Sequence, residues 1–296
     1  MKIKNILAGM MMLASLVCIS CEKYDAADTV KEKEKVENGV KVIFSLDKLE
    51  QIPFGEGAKI TRSNVAADKI CTYINLAIFS GTDKVKNESQ KLGDSNFGTL
   101  AVSLAKGTYK VVVIAHNCNG TATITSPDKI TFPDNKITDT FYYCADITVD
   151  DAQTYSLQLK RAVAMFRLVA EDEKPEKVKS MKFYYSGGSS TFNALTGYGC
   201  VNSRQTEVRT IDDTMNGKQT QYDVYTFPHE EKGQLKITVT SQDASSGAIN
   251  ERVFDEIPIQ RNMITQYSGK FFSESTKASS FSFVVDDAWL QDNHTY

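Results

Sequence analysis

Histidine is scarce. The 296 residues hold three, His116, His229 and His294, each in a different segment. No spacing among them makes a metal site, and "HNC" at 116–118 gathers two donors where a closed zinc site needs four, so it reads as a strand end or turn. Tryptophan occurs once, at Trp289, which excludes a sugar-stacking platform of several indoles. The 13 tyrosines could substitute as stacking faces, but those on the apolar runs alternate as sandwich packing requires. Basic charge is short as well. Lys and Arg number 34 against 37 Asp and Glu, which argues against nucleic acid, whose binding needs a basic footprint. The glycine-rich stretches "YSGGSSTFN" (185–193) and "TGYGCVN" (196–202) contain no G-x-S-x-G and no Gly-Lys-Ser/Thr phosphate loop. Gly197 and Gly199 are half of a dinucleotide fingerprint without its strand–turn–helix setting, so both stretches read as loops. Asp286, Asp287 and Asp292 cluster near the end, but their spacing is not that of a calcium loop, and a solvated terminal strand accounts for them. These absences leave no catalytic residues, no cofactor site and no metal site, and the expectation is a protein that is not an enzyme.

Long apolar runs are absent too, with one exception. Lys2 and Lys4 precede an uncharged stretch at 6–19. It is shorter than the roughly 20 residues of a spanning helix and matches the core of a secretory signal. The exit, Ser20-Cys21, resembles the cleavage point of bacterial lipoproteins, although Cys18 stands where that class usually has Leu. Cutting before Cys18 instead would place bulky Val17 at the exit. The resemblance implies lipidation of Cys21. Each buried CH₂ of an acyl chain contributes about 0.8 kcal/mol, and one chain holds only marginally; the three chains usual in bacterial lipoproteins make attachment lasting. Loss of residues 1–20 leaves 296 − 20 = 276 residues, and Lys plus Arg falls from 34 to 32 against 37 acids, a net of −5. At 100–200 residues per domain that length suggests two domains.

Residues 21–38 are polar, with "KEKEKVE" at 31–37, and read as a solvated tether. From Val40 onward the apolar period is two. "VKVIFSL" alternates Val40, Val42, Phe44 and Leu46. "YINLAIF", "GTYKVVVIAH", "SMKFYYS", "QYDVYTF", "QLKITVT" and "SFSFVV" are short runs rich in Val, Ile, Tyr, Phe and Thr, as strands prefer, separated by Gly, Asn, Asp and Ser clusters. No amphipathic helix of a dozen residues stands out. Strands without intervening helices imply an all-β fold of antiparallel sandwiches. The acidic stretch at 150–153 is the expected junction, giving one sandwich at 39–152 and a second at 153–296. Past Cys21 the cysteines are Cys71, Cys118, Cys144 and Cys200. In an exported chain they form disulfides or remain buried thiols packing as small hydrophobes. Four cysteines permit three pairings; Cys118–Cys144 is the favoured bridge if one forms, because both lie in the first half.

Three segments resemble a known group. "KRAVAMFRLVAEDEKPEKVKSMKFYYSGGSSTFNALTGYG" (160–199) resembles the fimbrillin-associated anchor family of the FimB type. "IPIQRNMITQYSGKFF" (257–272) is similar to a closing strand pair of the fimbrillin superfamily, and "ADKICTYINLAIFSGTDKVK" (67–86) to an early strand of its first domain. The resemblance implies two transthyretin-like sandwiches in tandem. It also implies an outer-membrane lipoprotein that anchors or accompanies fimbriae, with pilins as partners through β-strand pairing and the membrane held through Cys21. Pilins of that superfamily are cut after an arginine in the first domain, for which Arg62 in "KITRSNV" is the candidate; a cut there would sever the tether, which a permanent anchor should resist. "SFSFVVDDAWL" (280–290) could donate a strand, with Phe281, Phe283 and Val285 on one side, or could simply be the last strand of the second sandwich. The alternative function is a surface sandwich that captures glycans for uptake.

Overall fold

The computed structural model describes residues 39–49, 67–273 and 282–286, and nearly all regular structure within them is strand. Period two becomes β1, Val40–Leu49: Val42 and Phe44 are fully buried while Lys41 and Asp47 face solvent, as a half-buried strand demands. Next come β2 (Tyr73–Ser80), β3 (Asp83–Lys91), β4 (Thr99–Leu104), β5 (Gly107–His116), the short hairpin β6 (Thr123–Ser126) and β7 (Lys129–Thr131), β8 (Thr140–Val149) and β9 (Gln153–Arg161). Seven of these join in the order β3-β2-β5-β8-β9-β1-β4. The β8–β9 joint is narrow, pairing only Phe141 with Arg161 and Tyr142 with Lys160. Side chains from both sides of it, Leu76 and Val113 on one and Phe44 and Leu157 on the other, share one core. The first sandwich is thus closed along one side by its own sheet.

The second half contains β10 (Ala164–Ala170), β11 (Ser180–Ser186), β12 (Thr191–Asn193), β13 (Tyr198–Gly199), β14 (Arg204–Thr210), β15 (Thr220–Thr226), β16 (Gly233–Gln242), β17 (Ala248–Ile259), β18 (Ile264–Gly269) and β19 (Ser282–Asp286). Two four-stranded sheets, β15-β10-β18-β19 and β14-β11-β16-β17, enclose a core that includes Phe166, Leu168, Phe183, Ile237 and Ile257. The fold is therefore all-β, with a sandwich in each half. The sheets are mixed where pure antiparallel pairing was expected: β1 runs parallel to β9, and β10 parallel to β18. In both pairs the partner strand arrives only after other strands have formed, and a parallel neighbour needs such a crossover instead of a hairpin.

A third core ties the halves together. β6 and β7 from the first half and β12 and β13 from the second form one sheet, β13-β12-β7-β6. Beneath it Phe79, Val112 and Ile114 pack with Ile130, Phe132, Phe192 and Phe227. This explains the unbroken burial of β5 from Val111 to His116. Val111, Val113 and Ala115 face the first core, Val112 and Ile114 the third, so both faces of the strand are covered and alternation disappears. The passage between the sandwiches comes one strand later than the junction expected after residue 152. Leu157 and Leu159 of β9 are buried in the first core, and the acidic 150–152 stretch is the turn between its two layers. An ion pair marks the true crossing. Arg161, 1 % exposed, grips Asp139 with two hydrogen bonds of 2.7 and 2.8 Å and donates to Asn262 at 3.1 Å.

Candidate functional site

β18 is extended because "ITQYSG" anchors alternate residues. Thr265 Oγ1 donates to the Pro258 carbonyl at 2.6 Å, and the Tyr267 ring lies 5.0 Å from Phe254 and 5.8 Å from Phe166, where burial pushes its phenol pKa upward. One edge of β18 pairs with β10 from Met165↔Ile264 to Ala170↔Gly269. The other edge takes β19, with Phe283 opposite Tyr267 and Val285 opposite Thr265. Among the described residues β19 ends the sheet and is held along one edge only.

Asp172 fixes the place where the chain leaves β18. Its Oδ1 accepts from the Phe271 amide at 2.7 Å, and its Oδ2 accepts from the amides of Phe272 (2.9 Å) and Ser273 (2.7 Å) and from Ser273 Oγ (2.7 Å). Burial pushes this carboxyl up, but the bonds from Ser273 and Phe271 outweigh it and hold its pKa below the usual aspartate value. Phe271 and Phe272 are thereby pinned in the second core. Sequence reasoning missed this clamp because "AEDEKPEK" reads as an ordinary charged turn.

At the opposite end of the chain β1 is inserted between β4 and β9. It pairs with β4 from Val40↔Leu104 to Ser45↔Thr99 and with β9 from Val42↔Gln153 to Leu49↔Leu159, and Phe44 stacks on Tyr155 at 5.6 Å. A strand paired on both edges and buried on one face is a structural keystone of its sheet.

The residues singled out in the sequence fall unevenly on this frame. Cys21, Arg62, Phe281, Asp287, Trp289, Asp292 and His294 lie outside the described residues, while Phe283, Val285 and Asp286 belong to β19. His116 is fully buried. Its Nδ1 accepts from the Cys118 amide at 3.1 Å, so Nε2 carries the proton toward Asn75 Oδ1 at 3.0 Å, and burial pushes the imidazole down to about 4. "HNC" is thus a neutral pin at the end of β5. His229 lies elsewhere, with Nδ1 3.3 Å from the Gly199 carbonyl. The four cysteines past Cys21 are free thiols, so of the two readings the unbridged one holds and no Cys118–Cys144 bridge forms: Cys118 Sγ donates to the Lys136 carbonyl at 3.1 Å, and burial raises its pKa. Among the described residues no three metal-binding side chains converge. The "TGYG" loop is a shaped turn. Asn193 Oδ1 accepts from the Leu195 amide at 2.9 Å and the Thr196 amide at 3.2 Å, and Gly197 takes φ +79°.

Several solved structures are similar to this chain at a distance. A candidate adhesin of Bacteroides thetaiotaomicron is 12 % identical with a TM-score of 0.49, covering 84 % of this chain and 96 % of its own. A candidate polysaccharide-binding protein of the same organism is 11 % identical with a TM-score of 0.49, covering 83 % and 96 %. The fimbrial anchor protein Mfa2 of Porphyromonas gingivalis is 8 % identical with a TM-score of 0.42, covering 84 % and 97 %. Likenesses this remote assign neither function nor partner. No curated protein matches the chain. Residues 36–295, from just before β1 to beyond β19, match a single family, and the chain belongs to it: the family of unknown function DUF6562.

Proposed function

We propose that this protein is a lipid-anchored accessory or anchor subunit of a surface fimbria, non-catalytic, that pairs with pilin through backbone edges. The carrying observation is the position of β19. Among the described residues it is joined to β18 alone, as the last member of its sheet, and the chain before it is gripped at Asp172. Departure of β19 would leave β18 with a row of unpaired N–H and C=O groups. An incoming strand would satisfy those groups, and β19 could in turn complete a partner's sheet. Each net backbone hydrogen bond contributes about 0.5–1.5 kcal/mol, so exchanging one five-residue ladder for another is nearly neutral, and pocket filling decides the partner. The fimbrillin-like segments at 160–199 and 257–272 support the reading, as does the leader 1–20 with Cys21 at its exit, 19 positions before β1 begins at Val40 (40 − 21 = 19).

Two variants test it in cells. Cys21→Ala should shift the protein from the membrane fraction to the soluble fraction and release fimbriae into the medium; unchanged fractionation refutes the lipid anchor. Deletion of 280–296 should abolish co-purification with pilin while circular dichroism of the remainder stays β-rich. Retained pilin association refutes strand donation, and lost folding assigns the segment to the core.

A further inference from the structure

The loop that carries "TGYG" builds a cleft that strand pairing does not use. Its volume is about 430 Å³, and its walls include Tyr143, Gln158, Lys160, Thr196, Tyr198 and Arg261. Arg261 is held in place. Its guanidinium carbon sits 5.6 Å from the Tyr198 ring centre and 5.9 Å from that of Tyr142, and Nη1 donates to the Tyr142 hydroxyl at 2.7 Å. Room for the guanidinium comes from Gly197. A Cβ there would meet Tyr142 Oη at 2.3 Å and Arg261 Nη1 at 2.7 Å, so any side chain would push the arginine out. The loop itself is fixed by Asn193, whose carbonyl accepts from the Gly197 amide at 2.9 Å.

Charge in the cleft is unbalanced. The lining contains Lys160 and Arg261 but no Asp or Glu, and among the described residues neither cation forms an ion pair. Arg261 is half-buried and Lys160 exposed at the rim. A partly desolvated guanidinium hydrogen-bonded to one phenol and set beside the ring of another is a preformed receptor for a carboxylate, which it can bind through two parallel N–H bonds. Tyrosine faces are amphipathic surfaces, and Gln158 and Thr196 add amide and hydroxyl groups that match ring hydroxyls. The cleft volume lies within the usual 300–1,000 Å³ of small-ligand sites. A phosphate would use the cations alone, whereas the ring of a sugar acid also uses the amphipathic tyrosine surfaces.

We infer that this cleft binds an acidic saccharide, with the sugar carboxylate on Arg261 and its ring against the tyrosines. The scarcity of tryptophan does not prevent this, because the stacking surfaces are Tyr143 and Tyr198. Calorimetric titration of the mature chain tests it with trigalacturonic acid and 3′-sialyllactose as probes, maltotriose as the neutral control and a hexaglutamate peptide as the non-sugar polyanion. At least one acidic saccharide should bind saturably, at least tenfold tighter than maltotriose and than the peptide, and more weakly as salt is raised. Arg261→Gln should weaken that binding tenfold or more with the near-ultraviolet dichroism unchanged. Lys160→Gln, on the exposed rim, should weaken it severalfold and decides the matter if the arginine variant does not fold. Binding of neither acid, binding of maltotriose or the peptide as tight as that of the acid, or binding indifferent to both substitutions overturns the inference. Pilin association should be untouched by either substitution, which separates this site from the strand-pairing reading.

Discussion

At the scale of single residues, the buried imidazole of His116 makes a quantitative claim. Its pKa of about 4 lies below the ordinary 6.5, so between those values the unfolded chain binds a proton that the folded chain refuses. The stability this neutral histidine supports is complete above pH 6.5 and is lost as the pH falls toward 4. At 1.36 kcal/mol per unit, the loss by pH 4.5 is about 2.5 kcal/mol. His116→Gln should cost about 1–3 kcal/mol at pH 7, because it orphans the Cys118 amide, and should flatten the pH dependence. Urea midpoints at pH 7.0 and 4.5 for both proteins decide it; equal slopes would mean that another group sets the acid limb. The sequence made His116 visible as part of "HNC" but not its role, because Asn75, its partner, is 41 positions away. The Arg161–Asp139–Asn262 contact was hidden for the same reason: its members are 22 and 101 positions apart. By contrast the alternation of Val42 and Phe44 against Lys41 and Asp47 was legible, since a half-buried strand writes its two faces into adjacent residues.

At the scale of elements, strand identity was readable and strand partnership was not. β1, β2, β5, β11, β15 and β16 all fall where apolar period-two runs or apolar blocks lie between turn residues. What failed was the assignment of β9 to the second sandwich, because "TYSLQLKRAVAMFRLVA" runs through β9 and β10 without a strong break and only the cores distinguish Leu157 from Phe166. The Asp172 clamp makes an element-level prediction. Asp172→Asn replaces one accepting oxygen with an amide that cannot accept, leaving N–H groups of 271–273 unpaired, and should cost about 1–3 kcal/mol. More specifically, it should speed tryptic cleavage after the exposed Lys270, measured by mass spectrometry under native conditions. An unchanged cleavage rate would mean that Phe271 and Phe272 alone hold the segment. The clamp also has a pH sign: its carboxyl is depressed, so its contribution is present above the usual aspartate pKa and vanishes as the pH falls through the lower folded value. That window lies below the His116 window, so the two effects separate in one titration.

At the scale of the molecule, the question is whether two sandwiches make two domains. The described residues from Gly39 onward form one compact unit, and the third core explains why. Phe192 and Phe227 from the second half meet 4.9 Å apart, Phe132 from the first half lies 5.3 Å from Phe227, and Tyr142 lies 4.9 Å from Phe192. Aromatic contacts of this kind add about 0.5–1.5 kcal/mol each beyond burial. Separation would also bare Phe79, Val112 and Ile114, all at most 1 % exposed, and full burial of side chains of this size contributes about 1.5–3 kcal/mol each. The coupling between halves is then comparable to the 5–15 kcal/mol total stability of a typical domain, and neither half can unfold alone without losing it. Calorimetry of residues 39–296 should therefore show one endotherm whose calorimetric and van't Hoff enthalpies agree. Two independent sandwiches would give two transitions, or a calorimetric enthalpy about twice the van't Hoff value. A fragment ending at residue 163 should expose the face of β5 that bears Val112 and Ile114, bind a hydrophobic dye and aggregate. If that fragment instead folds to a soluble monomer with a sharp transition of its own, the third core is a contact between finished domains and the molecule is modular after all.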